Sequence, residues 1–164
     1  MDVDIFLTLR FIEWCKLRGK NIEELLKAVG FKVYLASIKA GANIDDNVLD
    51  HLYASKMAII FGSETYGEVT KSNVNTRTEL NVILEEKKPY FLIKMCNKFV
   101  HIFPRSQLSF TSISYIEWME DKPMPVDLIK KIQDKFFELF PQHPLALKVH
   151  NCPPVCFTCL ACLF

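Results

Sequence analysis

The side chains best suited to chemistry follow a short apolar run, Met57–Phe61, in this 164-residue chain. Ser63 and Tyr66 lie in the polar loop after that run, and Glu79 lies just past the loop, in the first turn of a predicted helix. The run is unbroken and is followed by a glycine, which is typical of a strand buried on both faces of a sheet. Because open α/β sheets bind ligands at the carboxyl ends of their strands, we expect any chemistry to occur there.

Glu79 has two interpretations. A carboxylate fixed at the mouth of a cleft can stabilise positive charge that develops in a transition state. Alternatively, the spacing Thr76-x-x-Glu79 matches a capping box, in which the glutamate only satisfies backbone N–H groups at the start of its helix. Taken alone, the residues favour the capping role.

Arg10 follows the first predicted strand and is expected at the same end of the sheet. Its forked guanidinium donors would suit a pyrophosphate or a ribose oxygen. A surface charge beside Glu13 or Glu64 is an equally good interpretation of Arg10. Ser63 and Tyr66 could line the pocket, although polar loop residues are also ordinary turn formers.

Five strands, alternating with helices, are predicted to position these residues. They are Asp4–Leu9, Phe31–Ala36, Met57–Phe61, Tyr90–Met95 and Ser114–Met119. The segment from Ser55 to Met95 reads as strand, helix and strand, which indicates a parallel sheet with a right-handed crossover. The sequence therefore predicts an α/β fold with a flavodoxin-like open parallel five-stranded sheet in the order 2-1-3-4-5, helices on both faces, and the third and fourth strands near its centre.

The last predicted helix follows Pro123–Asp127, and Pro141 and Pro144 are expected to end it. Residues 1–140 are therefore assigned to one domain and residues 141–164 to a Pro/Cys-rich tail, which holds four of the six cysteines. Cysteines three apart could bind zinc, and an apolar cysteine-rich segment could be palmitoylated. A flexible tail with no role in the domain is the favoured interpretation.

Composition argues against several classes of partner. The net charge of +1 gives no global field that would attract nucleic acid or an anionic membrane. No apolar run is long enough to cross a bilayer. The first residues are acidic and strand-like, so we expect no secretory or mitochondrial signal and a cytoplasmic location. The histidines are scattered, so no metal site is expected in the domain.

Two functions that are common on this fold lack their residues here. A phosphoreceiver needs an aspartate at the end of the third strand, where this chain has Phe61-Gly62-Ser63. A dinucleotide-binding Rossmann fold or a P-loop needs a Gly-rich turn after the first strand, where this chain has Leu9-Arg10-Phe11. The missing residues therefore argue against both functions.

The order of these motifs resembles that of the Toll/interleukin receptor (TIR) domain family. Asp4-Ile-Phe-Leu-Thr-Leu-Arg10 is similar to the opening strand of the family. Phe31-Lys-Val-Tyr-Leu-Ala36, with the glycine-bearing segment after it, resembles the second strand and the loop called the BB loop. The stretch from Ser55 to Ser63, with Tyr66, resembles the third strand and its Ser-x-x-Tyr exit, and Glu79-Leu80 resembles the Glu-Leu of the next helix.

The resemblance spans residues 4–140, and the chain departs from the family pattern at three places within it. Asn75-Thr76 stands where the family usually has Trp-Cys before the glutamate. The loop between Tyr66 and Glu79 is longer than usual by several residues. In the BB loop, Lys39-Ala-Gly-Ala42 replaces the common Arg-Asp and Pro-Gly.

The resemblance implies an activity and a set of site residues. In enzymatic TIR domains the matching glutamate cleaves the nicotinamide–ribose bond of NAD+, so Glu79 is implied as the catalytic carboxylate of an NAD+ glycohydrolase (NADase). Such an enzyme releases nicotinamide and linear or cyclic ADP-ribose, with NAD+ as substrate and no cofactor. The implied substrate-binding residues are Arg10, Ser63, Tyr66, Lys39 and Asn43. For the last two, a solvated loop position is the simpler interpretation.

The same resemblance leaves two other functions open. One is a non-enzymatic TIR interaction module that self-associates in signal transduction, whereas the implied NADase would act in signalling or innate defence. The other is a related N-ribosyl transferase or nucleotide-binding module on the same fold. Self-association through the loop Ile38 to Ile44 is implied for a TIR enzyme, whose site a neighbouring copy completes, and other TIR domains are candidate partners.

Overall fold

A computed structural model of the chain describes residues 2–36, 45–70, 75–108 and 113–150, with only the backbone of residues 45, 46, 149 and 150. The predicted BB loop, with Lys39 and Asn43, and the end of the predicted tail from residue 151 onward lie outside the described residues.

Five parallel strands form one sheet in the order β2-β1-β3-β4-β5. The strands are β1 (Val3–Thr8), β2 (Val33–Leu35), β3 (Ser55–Gly62), β4 (Tyr90–Lys94) and β5 (Tyr115–Glu117). In register, Ile5 of β1 lies between Val33 of β2 and Met57 of β3. The predicted flavodoxin-like α/β sheet, with β3 at its centre, is confirmed.

The described helices are α1 (Glu13–Ala28), α2 (Asp45–Ala54), α3 (Thr76–Glu85), α4 (Ile102–Gln107), α5 (Leu128–Leu139) and α6 (Pro144–His150). Helix α1 is followed by Gly30 with φ of +100°, the left-handed conformation that glycine commonly supplies after the end of a helix. Helix α4 lies in a segment whose sequence shows no clear period. None of the described helices is both long enough and apolar enough to cross a membrane.

Both faces of the central strands are buried, which explains their continuous apolar sequences. On one face, Phe6, Ala58 and Ile60 belong to a cluster with the apolar side chains of α2 and α3. The alternate residues of β1 and β3, such as Leu7 and Ile59, point to the other face and are equally buried.

The contacts of the chain divide it into two compact units, residues 1–129 and a second unit that begins at Lys130. In the second unit, the ring of Phe136 lies 4.8 Å from that of Phe140 and 5.1 Å from that of His143. The sequence predicts that Pro144 ends a helix and lies in the tail, but in the structure Pro144 opens α6. A proline is tolerated at the first helical position because the N–H group there needs no intrahelical acceptor.

Arg18 of α1 fastens the segment after β5 to that helix. Its guanidinium donates hydrogen bonds of 2.7 to 3.2 Å to four backbone carbonyls between Trp118 and Lys122. It also lies 5.2 Å from the ring of Trp14 and 4.4 Å from the ring of Trp118. This one side chain therefore joins parts of the chain that are 100 or more residues apart.

Arg18→Met is expected to lower the free energy of unfolding by about 3 kcal/mol, because hydrogen bonds to a charged donor and cation–π contacts are lost together. Urea unfolding followed by the fluorescence of Trp14 and Trp118, the two tryptophans of the chain, measures this change. Lys20→Met, which removes an exposed cation of the same helix, is the matched control and should stay within about 0.5 kcal/mol of wild type. If Arg18→Met lowered the free energy of unfolding no more than the control does, this role of Arg18 would be contradicted.

Candidate functional site

The start of α3 fixes the position of Glu79. The side chain of Asn75 accepts hydrogen bonds from the backbone N–H groups of Arg77 at 3.0 Å and Thr78 at 3.2 Å. Asn75 is therefore the N-cap. Glu79 lies one position beyond the residue that a capping box would use. The capping-box interpretation of Thr76 and Glu79 is wrong, and the Glu79 side chain is free for another role.

The loop between β3 and α3 brings Tyr66 to the same place. Its next residue, Gly67, has φ of +79°, a conformation that glycine adopts without strain. The Gly67 N–H donates to the Thr76 hydroxyl oxygen at 2.9 Å, which ties the loop to the first turn of α3. A side chain at Gly67 would also meet Pro104, with a Cβ only 2.9 Å from its ring.

Tyr66, Thr8 and Glu79 form a continuous buried chain of hydrogen bonds, which we call the Tyr66–Thr8–Glu79 chain. The Thr8 hydroxyl, at the end of β1, donates to the Glu79 carboxylate oxygen Oε2. The Tyr66 hydroxyl lies 2.8 Å from the Thr8 hydroxyl oxygen. Only 5% of Glu79 is exposed, and the other two residues are at least as deeply buried.

Burial has the largest effect on the pKa values in the Tyr66–Thr8–Glu79 chain. Loss of hydration raises the pKa of Glu79 from 4.5 to about 7, and the hydrogen bond from Thr8 opposes that rise. In the described part of the chain, this opposing contribution comes from a neutral hydroxyl rather than from a cation. Burial, with the charge of Glu79 as a second cause, also raises the pKa values of Tyr66 and of Tyr34 on β2. Both phenols are therefore neutral at physiological pH.

Arg10 and Ser63 each carry a buried polar atom that is poorly satisfied among the described residues. Arg10 forms an ion pair with Glu68, rather than standing beside Glu13 or Glu64. Within the described residues, Arg10 Nε has no hydrogen-bond partner, and Ser63 Oγ has none with good geometry, although the weakly accepting Cys15 thiol lies nearby. Such an atom typically costs about 1–3 kcal/mol. Because β1 and β3 are neighbours, these residues follow their strands at one edge of the sheet, where a ligand could satisfy both.

Cys15 borders this edge but is unsuited to nucleophilic chemistry. Burial raises the pKa of its thiol to about 12, and the nearby Ser63 hydroxyl and the Arg18 and Arg10 charges offset only part of that rise. The thiol is therefore protonated at neutral pH, and the reactive form of cysteine is the thiolate.

One cavity lies beside the carboxyl ends of β1 and β2 and has a volume of about 360 Å³, the size of a small-ligand pocket. Its lining residues are Leu9, Phe11, Lys16, Lys20, Glu23, Leu35 and Ala36. The two lysines could meet the phosphates of an anionic ligand. Among the described His, Cys, Asp and Glu side chains, no group of three is placed to hold a metal ion.

The structure brings together only part of the predicted set. Glu79 and Tyr66 meet through Thr8, a residue that the sequence did not single out. Its only signal was a polar residue at the end of an apolar strand. Arg10 and Ser63 lie at the same end of the sheet, without a described contact to Glu79, and their substrate-binding roles stay predictions. The roles of Lys39 and Asn43 also stay predictions, since both lie outside the described residues.

Comparison with known proteins shows a weak likeness of fold. No protein-family model matches the chain, and no curated protein matches its sequence. Among solved structures, the chain is similar to the TIR domain of the Toll-related receptor TRR-2 from the lower metazoan Hydra magnipapillata, at 16% identity and a TM-score of 0.48. The match covers 85% of this chain and 96% of that one. A likeness of this size carries no argument about function, and the fold assignment rests on the order of the strands.

Proposed function

We propose that this chain is a TIR-type NAD+ glycohydrolase in which Glu79 is the catalytic carboxylate. The observation that carries the proposal is the burial of Glu79 at the ligand end of the sheet, with a pKa of about 7 and a neutral donor as its partner. Burying a carboxyl group without a cation costs stability. Ionisable groups whose pKa values are strongly shifted by burial are concentrated at functional sites.

A carboxylate in these surroundings suits the cleavage of an N-glycosidic bond. When the bond between the ribose C1′ and the nicotinamide nitrogen breaks, its electron pair leaves with nicotinamide and C1′ gains oxocarbenium character. Ionised Glu79 stabilises this positive charge, and it can accept the proton of the water that attacks C1′. The low polarity around the carboxylate strengthens its attraction to the developing charge.

Access to Glu79 requires an opening, because only 5% of the residue is exposed. The proposal assigns this opening to self-association through residues 38–44, as the resemblance to enzymatic TIR domains implies. In the sequence that segment comes shortly after β2, the strand of Tyr34, whose phenol pKa is raised by burial and, as a second cause, by the charge of Glu79.

Specific activity is expected to rise with protein concentration, since the assembled fraction rises by mass action. The measurement is nicotinamide released from NAD+ per mole of protein, over about a hundredfold range of concentration. A sharper form keeps wild type dilute and adds excess Glu79→Gln protein, which supplies assembly but no carboxylate and should restore activity. Constant specific activity on dilution, with no effect of the added variant, would contradict the role of assembly.

A second candidate, a non-enzymatic interaction module, is favoured by a different observation. Val69, Val100 and Ile102 are 71%, 51% and 78% exposed. They surround a surface cavity of about 830 Å³, where Arg77 lies 3.5 Å from the ring centre of Phe103. Contiguous exposed apolar side chains are typical of protein–protein contacts. For a second copy of the chain as partner, Ile102→Glu should abolish self-association measured by sedimentation while Leu17→Glu, at another exposed apolar position, should not.

A further inference from the structure

We infer that Tyr66 and Thr8 are positioning residues, and that Tyr66 acts on Glu79 through Thr8 to fix the orientation and the charge of the carboxylate. The inference rests on the proposed function for its catalytic meaning. The state of the carboxylate can nevertheless be measured without any activity. The Tyr66 hydroxyl is fully buried and is engaged by Thr8, so Thr8 is the described residue through which it can act on Glu79.

The direction of the hydrogen bonds follows from counting protons. A hydroxyl has one proton to donate. Because Thr8 donates to Glu79, the bond between Thr8 and Tyr66 must have Tyr66 as its donor. In this direction each proton has an acceptor, and the ionised carboxylate ends the chain.

Protonation of Glu79 disturbs this order. If a protonated Glu79 donated to Thr8, the Thr8 proton would turn to Tyr66. The proton of Tyr66 would then lack an acceptor among the described residues. An unsatisfied buried donor is unfavourable, and linked hydrogen bonds strengthen one another. The intact Tyr66–Thr8–Glu79 chain therefore favours the ionised form of Glu79 and opposes the rise in its pKa that burial causes.

The groups around Glu79 supply no competing positive charge in the described part of the chain. The phenols of Tyr66 and Tyr34 face it from the loop after β3 and from β2, and both are neutral. His51 of α2 stacks on Tyr34, with ring centres 3.7 Å apart, rather than contacting the carboxylate. Arg77, on the helix of Glu79 itself, lies over an aromatic ring of α4. Support for the charge thus comes from the hydroxyl chain.

Three substitutions separate the members of the chain. Thr8→Val removes the hydroxyl with little change of shape and suits a strand. Thr8→Ser keeps the hydroxyl and is the matched control. Tyr66→Phe removes only the far hydroxyl and leaves the donor to Glu79 in place. It also decides the test if Thr8→Val does not fold.

The carboxyl carbon of Glu79, assigned by its loss in Glu79→Gln, is titrated by 13C NMR in each folded variant. We expect its pKa to rise by about one unit or more in Thr8→Val, by roughly half a unit in Tyr66→Phe, and hardly at all in Thr8→Ser. The acid limb of the NADase pH profile should move to higher pH by the same amounts. If the Glu79 pKa rises in the variants but neither they nor wild type cleave NAD+, the inference about the Tyr66–Thr8–Glu79 chain is supported and the proposed function is wrong. A Glu79 pKa that is the same in wild type and Tyr66→Phe would overturn the inference.

Discussion

Glu79→Gln is expected to raise the stability of the protein at pH 8 and to leave it nearly unchanged at pH 4.5. The folded-state pKa of about 7 lies above the ordinary value of 4.5, so the folded protein holds this proton more tightly than the unfolded chain does. Below pH 4.5 the group is neutral in both states, and its burial carries no charge penalty. As the pH rises from 4.5 through 7 the penalty grows, and above 7 it is fully present.

The size of the effect follows from the shift. A rise from 4.5 to about 7, at about 1.4 kcal/mol per unit, corresponds to a penalty of about 3 kcal/mol at pH 8. For a chain of this length that difference is roughly 6–12 °C in melting temperature. Glutamine removes the charge and keeps a carbonyl oxygen that can accept the hydrogen bond from Thr8.

Urea unfolding of wild type and Glu79→Gln at the two pH values measures this effect. Glu85→Gln, which removes an exposed carboxylate in the last turn of the same helix, is the control and should change stability by less than about 0.5 kcal/mol. If Glu79→Gln were less stable than wild type at pH 8, the carboxylate would be a stabilising group. The account of its burial would then be wrong.

The same substitution is expected to lower the rate of NAD+ cleavage by about a hundredfold or more. Removing a preorganised group that stabilises transition-state charge typically costs on the order of 3 kcal/mol. Glu79→Asp keeps the charge but moves it back by one methylene group. Its loss of rate should therefore come only from misplacement of the carboxylate, and should be smaller than the loss in Glu79→Gln. From fastest to slowest, the expected ranking of rates is wild type, Glu79→Asp and Glu79→Gln.

Activity and stability should therefore move in opposite directions at Glu79. A residue kept only for packing or capping loses stability when it is changed, and the activity of the folded fraction survives. If a catalytic carboxylate is buried at a cost in stability, replacing it gives a protein that is more stable but inactive. This is the usual trade-off at functional sites. Measuring both properties in one variant distinguishes the two roles.

The sheet could be predicted because its central strands, β1 and β3, are buried on both faces. Residues 57–61 form an unbroken apolar run, since neither face of β3 meets water. The spacing of strand, helix and strand between Ser55 and Lys94 then determines a parallel crossover. Glu79 could be placed at the start of α3 for the same reason, because the helix must follow the loop at the ligand end of the sheet.

The partners of Glu79 could not be predicted, because no local pattern records them. Thr8 is 71 residues from Glu79 and 58 residues from Tyr66 along the chain, and threonine is an ordinary strand residue. The spacing of Thr76 and Glu79 predicted the wrong N-cap, because Asn75 is also a good capping residue and only the backbone geometry decides between the two. The contacts of Arg18 with the segment after β5 were hidden in the same way.

The most direct test of the catalytic claim is nicotinamide release from NAD+ by wild type and Glu79→Gln, at a concentration where wild type is assembled. We expect release by wild type, and a rate that is lower by about a hundredfold or more for a Glu79→Gln protein that is at least as stable at the assay pH. Equal rates for the two proteins, or no release by assembled wild type, would contradict it.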